Sequence, residues 1–272
     1  MACRVIFGLN SAMNQFPVLL GIGFLLGAIL GSFIGMASYR WPRKESWGGR
    51  SKCPTCGRTL GVADLVPIVS WFFARAKCTC GAPISARYPV IEAATALLSA
   101  LVLAEFGWTI AGALAVVLVV LVMLIIVIDW ENFIIPDKLV IILFLVGLVW
   151  RWQVEGTWLA PLLGLGAGVM LFLTAFLAAF IVERINETES LGGGDLKLLF
   201  AAGPWVGFQI LPLLLILSGV FGILFYLLWR KINLPAKQSA DVPFGAFPYG
   251  PAICAAMLAC VLLEQWVLKL FS

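Results

Sequence analysis

Long apolar runs separated by short polar breaks make up most of this chain. A membrane helix needs about 20 predominantly apolar residues. Phe16–Ser38 is the first run of that kind. It is longer than the roughly 7–15 residues of a signal-peptide core, and no A-x-A site follows it, so it reads as a helix. Val90–Phe106 and Trp108–Ile128 follow, nearly joined. Ile134–Trp150 is shorter and carries Asp137 and Lys138 near its start; Trp158–Val182 is long enough to tilt. Leu196–Trp229 is too long for one span and short for two. Its Gly203-Pro204 and Leu211-Pro212 pairs predict a short helix, a tight turn and a second helix. Phe247–Leu270 is the last run. The pattern predicts an all-α polytopic membrane protein with about eight transmembrane helices. It divides into a first helix over 1–39, a cytoplasmic cysteine-rich region over 40–89 and a seven-helix membrane part over 90–272.

Composition agrees. Of 272 residues, 62% are hydrophobic and 12% charged, against about 25% charged in soluble domains. That excludes a disordered chain, a nucleic-acid binder and an ordinary cytosolic enzyme. The positions of the charges supply an orientation. Residues 40–89 hold nine of the 18 Lys and Arg but only two acids, Glu45 and Asp64, a net +7. The positive-inside rule places that loop in the cytoplasm. With eight spans, the segments 129–138, 183–197 and 230–246 also fall inside, and the inner loops then hold 15 of the 18 Lys and Arg. Arg4, Arg151 and Lys269 remain outside. A seven-span count would move Arg230, Lys231 and Lys237 out as well, so charge favours eight.

The chain has no histidine. This removes Ser-His-Asp triads, Cys-His pairs and HExxH zinc sites. Proton transfer must rest on carboxylates, lysines, tyrosines or cysteines. The basic loop contains Cys53-Pro-Thr-Cys56 and Cys78-Thr-Cys80. In a reducing compartment two such pairs read as a structural zinc knuckle rather than as disulfides. Gly57 and Gly81 follow the pairs where the chain must turn around an ion. The second pair is one residue tighter than the usual ribbon spacing. Cys254 and Cys260, in the last run, read as small packing residues.

Asp129 lies at the end of the third run and Asp195 at the start of the sixth, both on the cytoplasmic face of this topology. An ionisable residue near the hydrocarbon costs several kcal/mol and is a functional candidate. Two facing carboxylates can share one proton, so that one takes a proton from water while the other donates to a peptide carbonyl. Gly192-Gly193-Gly194 gives such a site room for a substrate backbone and for positive φ before the helix starts. The plain alternatives are an N-cap role for Asp195, a helix-end role for Asp129 and, preferred for Asp137, capping of the fourth helix. A transporter would need ionisable residues through the membrane thickness, whereas these acids cluster at one face. A scaffold using the knuckle to bind a partner would tolerate Asp→Asn changes.

In order along the chain stand Gly31-Ser32-Phe33, Tyr39-Arg40-Trp41-Pro42, Cys53-Pro54-Thr55-Cys56, Pro67-Ile68-Val69-Ser70-Trp71 and Ile84 to Glu92. Ile128-Asp129, Ile135-Pro136-Asp137, Gly192-Gly193-Gly194-Asp195-Leu196-Lys197 and Val242-Pro243-Phe244-Gly245 follow. With this ordered set the chain resembles the bacterial type IV prepilin peptidases, aspartic proteases of the GxGD type. It departs from their usual pattern at Cys78-Thr-Cys80, at Gly35 and at Ala63-Asp64-Leu65-Val66-Pro67.

The resemblance implies a bacterial inner-membrane enzyme with its active site on the cytoplasmic face. Such an enzyme removes the leaders of prepilins and type II secretion pseudopilins at a Gly-Phe bond. Asp129 and Asp195 match the family's catalytic pair, and Gly192, Gly193, Gly194 and Lys197 shape the site. The resemblance also implies N-methylation of the new terminus with S-adenosylmethionine. The +7 loop would repel a basic leader, so its expected partner is the anionic lipid surface.

Overall fold

The computed structural model describes residues 2–46, 48–53, 55–61, 63–74, 76–186, 191–232 and 247–271. Within these, side chains are described from 16 to 264, except at 186 and 232. Val242-Pro243-Phe244-Gly245 and Pro54 lie outside the described residues. The described chain is helical, apart from two isolated β-bridges, Lys52 with Thr59 and Lys77 with Pro83. The helices are α1 (Ala2–Arg40), α2 (Val69–Phe73), α3 (Arg87–Phe106), α4 (Ile110–Asn132), α5 (Asp137–Glu155), α6 (Ala160–Asn186), α7 (Gly193–Val206), α8 (Leu211–Ile232) and α9 (Gly250–Phe271).

Every apolar run read from the sequence falls in a helix or helix pair. Five helical stretches are long and apolar enough to cross a membrane: Phe16–Arg40, Arg87–Phe106, Ile110–Asn132, Ala160–Ile185 and Phe208–Lys231. Gly250–Glu264 is a shorter apolar stretch, α7 has 14 residues, and α5 carries Asp137, Lys138, Arg151 and Glu155. Large apolar side chains lie exposed along these helices, among them Leu25, Leu97, Leu163, Leu177 and Ile223. Apolar surface on this scale calls for lipid as the solvent.

The 34-residue run divides as expected, but not at its prolines. The break is at Gly207, with φ +64°, followed by a single 3₁₀ turn, Phe208–Ile210. Pro204 lies inside the last turn of α7. Pro212 is the second residue of α8, where a missing N–H costs nothing because that group has no helical partner.

The chain forms two compact units, Met1–Leu124 and Ile125–Ser272, with α4 running through the division. In the first unit α1 packs on α3 through a stripe of glycines one turn apart. A Cβ on Gly23 would lie 2.7 Å from the Ala100 Cα. On Gly27 it would lie 2.6 Å from the Thr95 carbonyl, and on Gly31 2.6 Å from the Glu92 Cα. Spacing of this kind lets two backbones touch where no hydrophobic effect drives helices together. At the turn into α4, Thr109 Oγ1 accepts the Gly112 amide at 3.0 Å and so caps the helix.

In the second unit α7 is held by both α5 and α6. Gly164, Gly168 and Gly203 bring α6 and α7 into backbone contact; Phe200 O would lie 2.5 Å from a Cβ on Gly168. Gly147 on α5 makes room for Trp205, whose Nε1 donates to the Leu143 carbonyl at 2.9 Å. Trp150 stacks on Trp205 at 5.5 Å. Arg151, near the end of its run, lies buried within the helix packing. It is 3% exposed, and it donates to the Pro204 and Trp205 carbonyls at 3.0 and 2.7 Å. It also pairs with Glu264 at 2.8 Å and Glu155 at 3.1 Å. The guanidinium therefore satisfies terminal carbonyls of α7 that no helical N–H reaches.

Two stability predictions follow from this packing. Gly27→Val should cost about 3 kcal/mol through overpacking, whereas Gly21→Val, with nothing within 4 Å of its Cβ, should be near neutral; thermal unfolding in detergent compares them. Arg151→Leu should cost about 3–5 kcal/mol because Glu264 is left buried and uncompensated. The double variant Arg151→Leu/Glu264→Leu should recover part of that loss in the same assay.

Candidate functional site

Asp129 lies in the last turn of α4 and is 5% exposed. Helix α4 stops because Phe133 turns into the left-handed region, φ +56°, with its amide on the Asp129 carbonyl at 2.9 Å. The Phe133 ring packs edge-on against Trp229 at 5.5 Å, and Trp130 packs on the same indole at 5.0 Å. These aromatic contacts fix the end of α4. The Asp129 carboxylate in turn accepts the Gly250 amide, at the start of α9, through Oδ2 at 3.0 Å. A Cβ on Gly250 would lie 2.6 Å from that oxygen, so the contact requires glycine.

Asp195 stands in the first turn of α7, partly buried. It is not the N-cap; that position is Gly192, and no side chain caps the helix. The glycines before it do not take positive φ. Gly192 is extended (φ −66°, ψ 142°), and Gly193 and Gly194 already belong to the helix. Their use is space. A Cβ on Gly192 would lie 3.2 Å from Asp195 Oδ2, one on Gly194 3.2 Å from the Ile135 Cβ, and one on Gly193 would meet nothing within 4 Å.

Ile135 joins the two halves of the site. It precedes Pro136, which restricts it to extended backbone. Its side chain packs against both Gly194 and Gly250, 3.2 and 3.1 Å from where their Cβ atoms would be. Gly250 thus touches both Asp129 and Ile135, and Ile135 touches the glycine that precedes Asp195; the buried Cys254 stands one turn into α9. Sequence reasoning missed Gly250, Ile135 and the position of Cys254. The available signal was the Tyr249-Gly250-Pro251 start of the last run, with Cys254 four residues on.

Asp137 and Lys197 meet each other. Asp137 begins α5 without capping it, since the N-cap is Pro136 and no side chain closes that end. Its carboxylate instead meets Lys197 Nζ at 2.8 Å, with both groups more than half exposed. An exposed pair of this kind contributes at most about 1 kcal/mol.

The four loop cysteines come together. Their Sγ atoms all lie within 4.8 Å of one another, Cys53 and Cys80 at 3.9 Å. Each pair sits in a tight turn: Cys53 N–H donates to Arg58 O at 2.9 Å, and Cys78 N–H to Ala82 O at 2.8 Å. Gly57 (φ +72°) and Gly81 (φ +85°) close the turns. The tighter C-x-C turn still brings its sulfurs to the cluster. Amides facing the sulfurs favour thiolates. The Cys80 N–H holds Cys78 down to about 6, and the Cys56 and Thr55 amides hold Cys53 below its usual range. A tetrahedral zinc with bonds of about 2.3 Å needs sulfurs about 3.8 Å apart. The cluster fits a metal ion of that class with small side-chain adjustments.

The comparisons with known proteins divide the chain in two. Residues 25–106 match the Bacterial Peptidase A24 N-terminal domain, and residues 116–227 match the Type IV leader peptidase family. Proteins named prepilin leader peptidase/N-methyltransferase are similar over most of their length. That of Pectobacterium carotovorum is 31% identical, the alignment covering 83% of this chain and 87% of the relative. That of Burkholderia pseudomallei is 33% identical, with 84% and 82% covered. That of Myxococcus xanthus is 32% identical, with 83% and 68% covered. No solved structure matches. The order and extent of these matches mean that the chain belongs to the type IV leader peptidase family.

Proposed function

We propose that the chain is a membrane aspartic endopeptidase of the bacterial inner membrane that removes the leader of prepilins and type II secretion pseudopilins at a Gly-Phe bond. The observation that carries the reading is that Gly250 and Ile135 link the Asp129 end of α4 to the glycines before Asp195 in α7, in a histidine-free protein. One carboxylate takes a proton from water as the water oxygen attacks the scissile carbonyl carbon. The other gives its proton to the carbonyl oxygen. As the resulting diol collapses, the protonated carboxyl gives its proton to the departing nitrogen, the C–N bond breaks, and a diol hydroxyl gives its proton to the ionised carboxylate, so the pair is again singly protonated. Gly193, open on its outer side, leaves room for the substrate backbone, with Gly192 and Gly194 beside it. Lys197, paired with Asp137, shapes the entrance.

Eight crossings, with the loop over 40–89 and the aspartates in the cytoplasm, suit this chemistry. Trp108 and Trp158, both strongly exposed, fall at the turns this topology puts outside, where aromatic belts form. The division into 1–39, 40–89 and 90–272 follows from it. Cys53, Cys56, Cys78 and Cys80 hold a structural zinc that folds the cytoplasmic loop. The relatives' names support a second activity, N-methylation of the new terminus with S-adenosylmethionine as methyl donor. No residue of this chain is assigned to that cofactor.

Co-expression with a prepilin tests the pair. The wild type should release the leader, and Asp129→Asn or Asp195→Asn should each leave intact precursor, a loss of about 10³-fold or more on the scale of paired catalytic groups. Mass spectrometry of the pilin N-terminus reads this directly, and cleavage surviving either change sinks the pair. The purified protein should carry one zinc per chain by elemental analysis. Cys78→Ser should lower that content and the protease resistance of residues 41–86, while Cys260→Ser leaves both unchanged.

A further inference from the structure

The loop between α1 and α3 carries an apolar face that its own fold does not cover. In α2, Ser70 and Trp71 turn inward, and Trp71 Nε1 donates to the Ile84 carbonyl at 3.1 Å. Val69, Phe72 and Phe73 share the opposite side, as spacings of three and four require. Phe72 is 65% and Phe73 86% exposed, and Leu65 and Val66 just before them are also exposed. Two adjacent phenylalanines left open on a five-residue helix are a costly arrangement in water.

This helix does not hang free. The Ile68 amide donates to Glu92 Oε2 of α3 at 2.7 Å, which holds α2 beside the first turns of a helix apolar enough to span a membrane. Arg87, at the start of α3, donates to the Gly35 carbonyl and to Ser38 Oγ of α1 at 2.9 and 2.7 Å. Both ends of the loop are therefore fastened at one end of the α1–α3 pair. The same loop exposes Arg43 and Lys44, just past the end of α1, and Arg50, Lys52 and Lys77. Exposed aromatics and basic side chains on one loop, fastened at the end of membrane helices, match an anionic lipid surface in both polarity and charge. A protein partner would have to compete with the bilayer from which α1 and α3 emerge.

We propose that residues 65–73 form an interfacial anchor. In it Phe72 and Phe73 enter the boundary between headgroups and acyl chains, while the basic residues bind anionic headgroups. The proposal rests on the membrane reading of α1 and α3 and not on the aspartate pair.

The test places the photoreactive residue p-benzoylphenylalanine, one position at a time, in the full chain. The positions are 73, lipid-facing 25 as positive control, and exposed polar 59 as negative control. Each protein is put into nanodiscs of phosphatidylethanolamine with phosphatidylglycerol, and separately of phosphatidylcholine alone. Because position 73 is exposed, the change does not disturb the core. Lipid adducts at 73 should exceed those at 59 by about tenfold in the anionic discs, and should fall several-fold in phosphatidylcholine. Adducts at 25 without adducts at 73 overturn the anchor while leaving the membrane reading intact. Adducts at neither position overturn both. Equal yields in the two lipids overturn the role of charge, and adducts to protein, whether a second copy or a co-expressed prepilin, replace the anchor with a docking face.

Discussion

Backbone contact between helices, made possible by glycine, is the constraint on which the rest of this structure depends. Helices in lipid gain little from burying apolar side chains, because the lipid is equally apolar. Close approach must supply the packing. Gly23, Gly27 and Gly31 supply it between α1 and α3, and Gly164, Gly168 and Gly203 between α6 and α7. Helix α7 carries Asp195, so the second stripe sets where that carboxylate stands. The first stripe fixes the two helices from which the cysteine loop is suspended.

Much of this was legible in the sequence because lipid imposes a simple rule. A run of about 20 apolar residues becomes a helix, and each run did. The division of the long run was also legible, but its position was not. Prolines were the visible breakers, yet Pro204 lies within the last turn of α7 and Pro212 in the first turn of α8, where its missing N–H is harmless, and the turn belongs to Gly207. A glycine's φ is decided by the packing around it, which no local pattern reveals.

The site was legible in part. Asp129, Asp195 and the four cysteines stood out because charge and thiol clusters are rare in so apolar a chain. Gly250 and Ile135 did not, since a glycine and an isoleucine are unremarked among many. Their roles come from contacts across more than 50 residues of sequence. The partners of Arg151 were hidden for the same reason. A cation near the end of an apolar run looks like a loop charge, and only the fold brings Glu264 and the α7 carbonyls to it.

Helix α7 also sets a length. Its 14 residues, at about 1.5 Å each, span about 21 Å, well short of a hydrocarbon core of about 30 Å. One end bears Asp195 and the other is gripped by Arg151. The helix therefore acts as a ruler measured from its Arg151 end. The depth of the carboxylate is tied to a protein strut and not to the local lipid, so a thicker or thinner bilayer would leave the aspartate at the same distance from its arginine anchor.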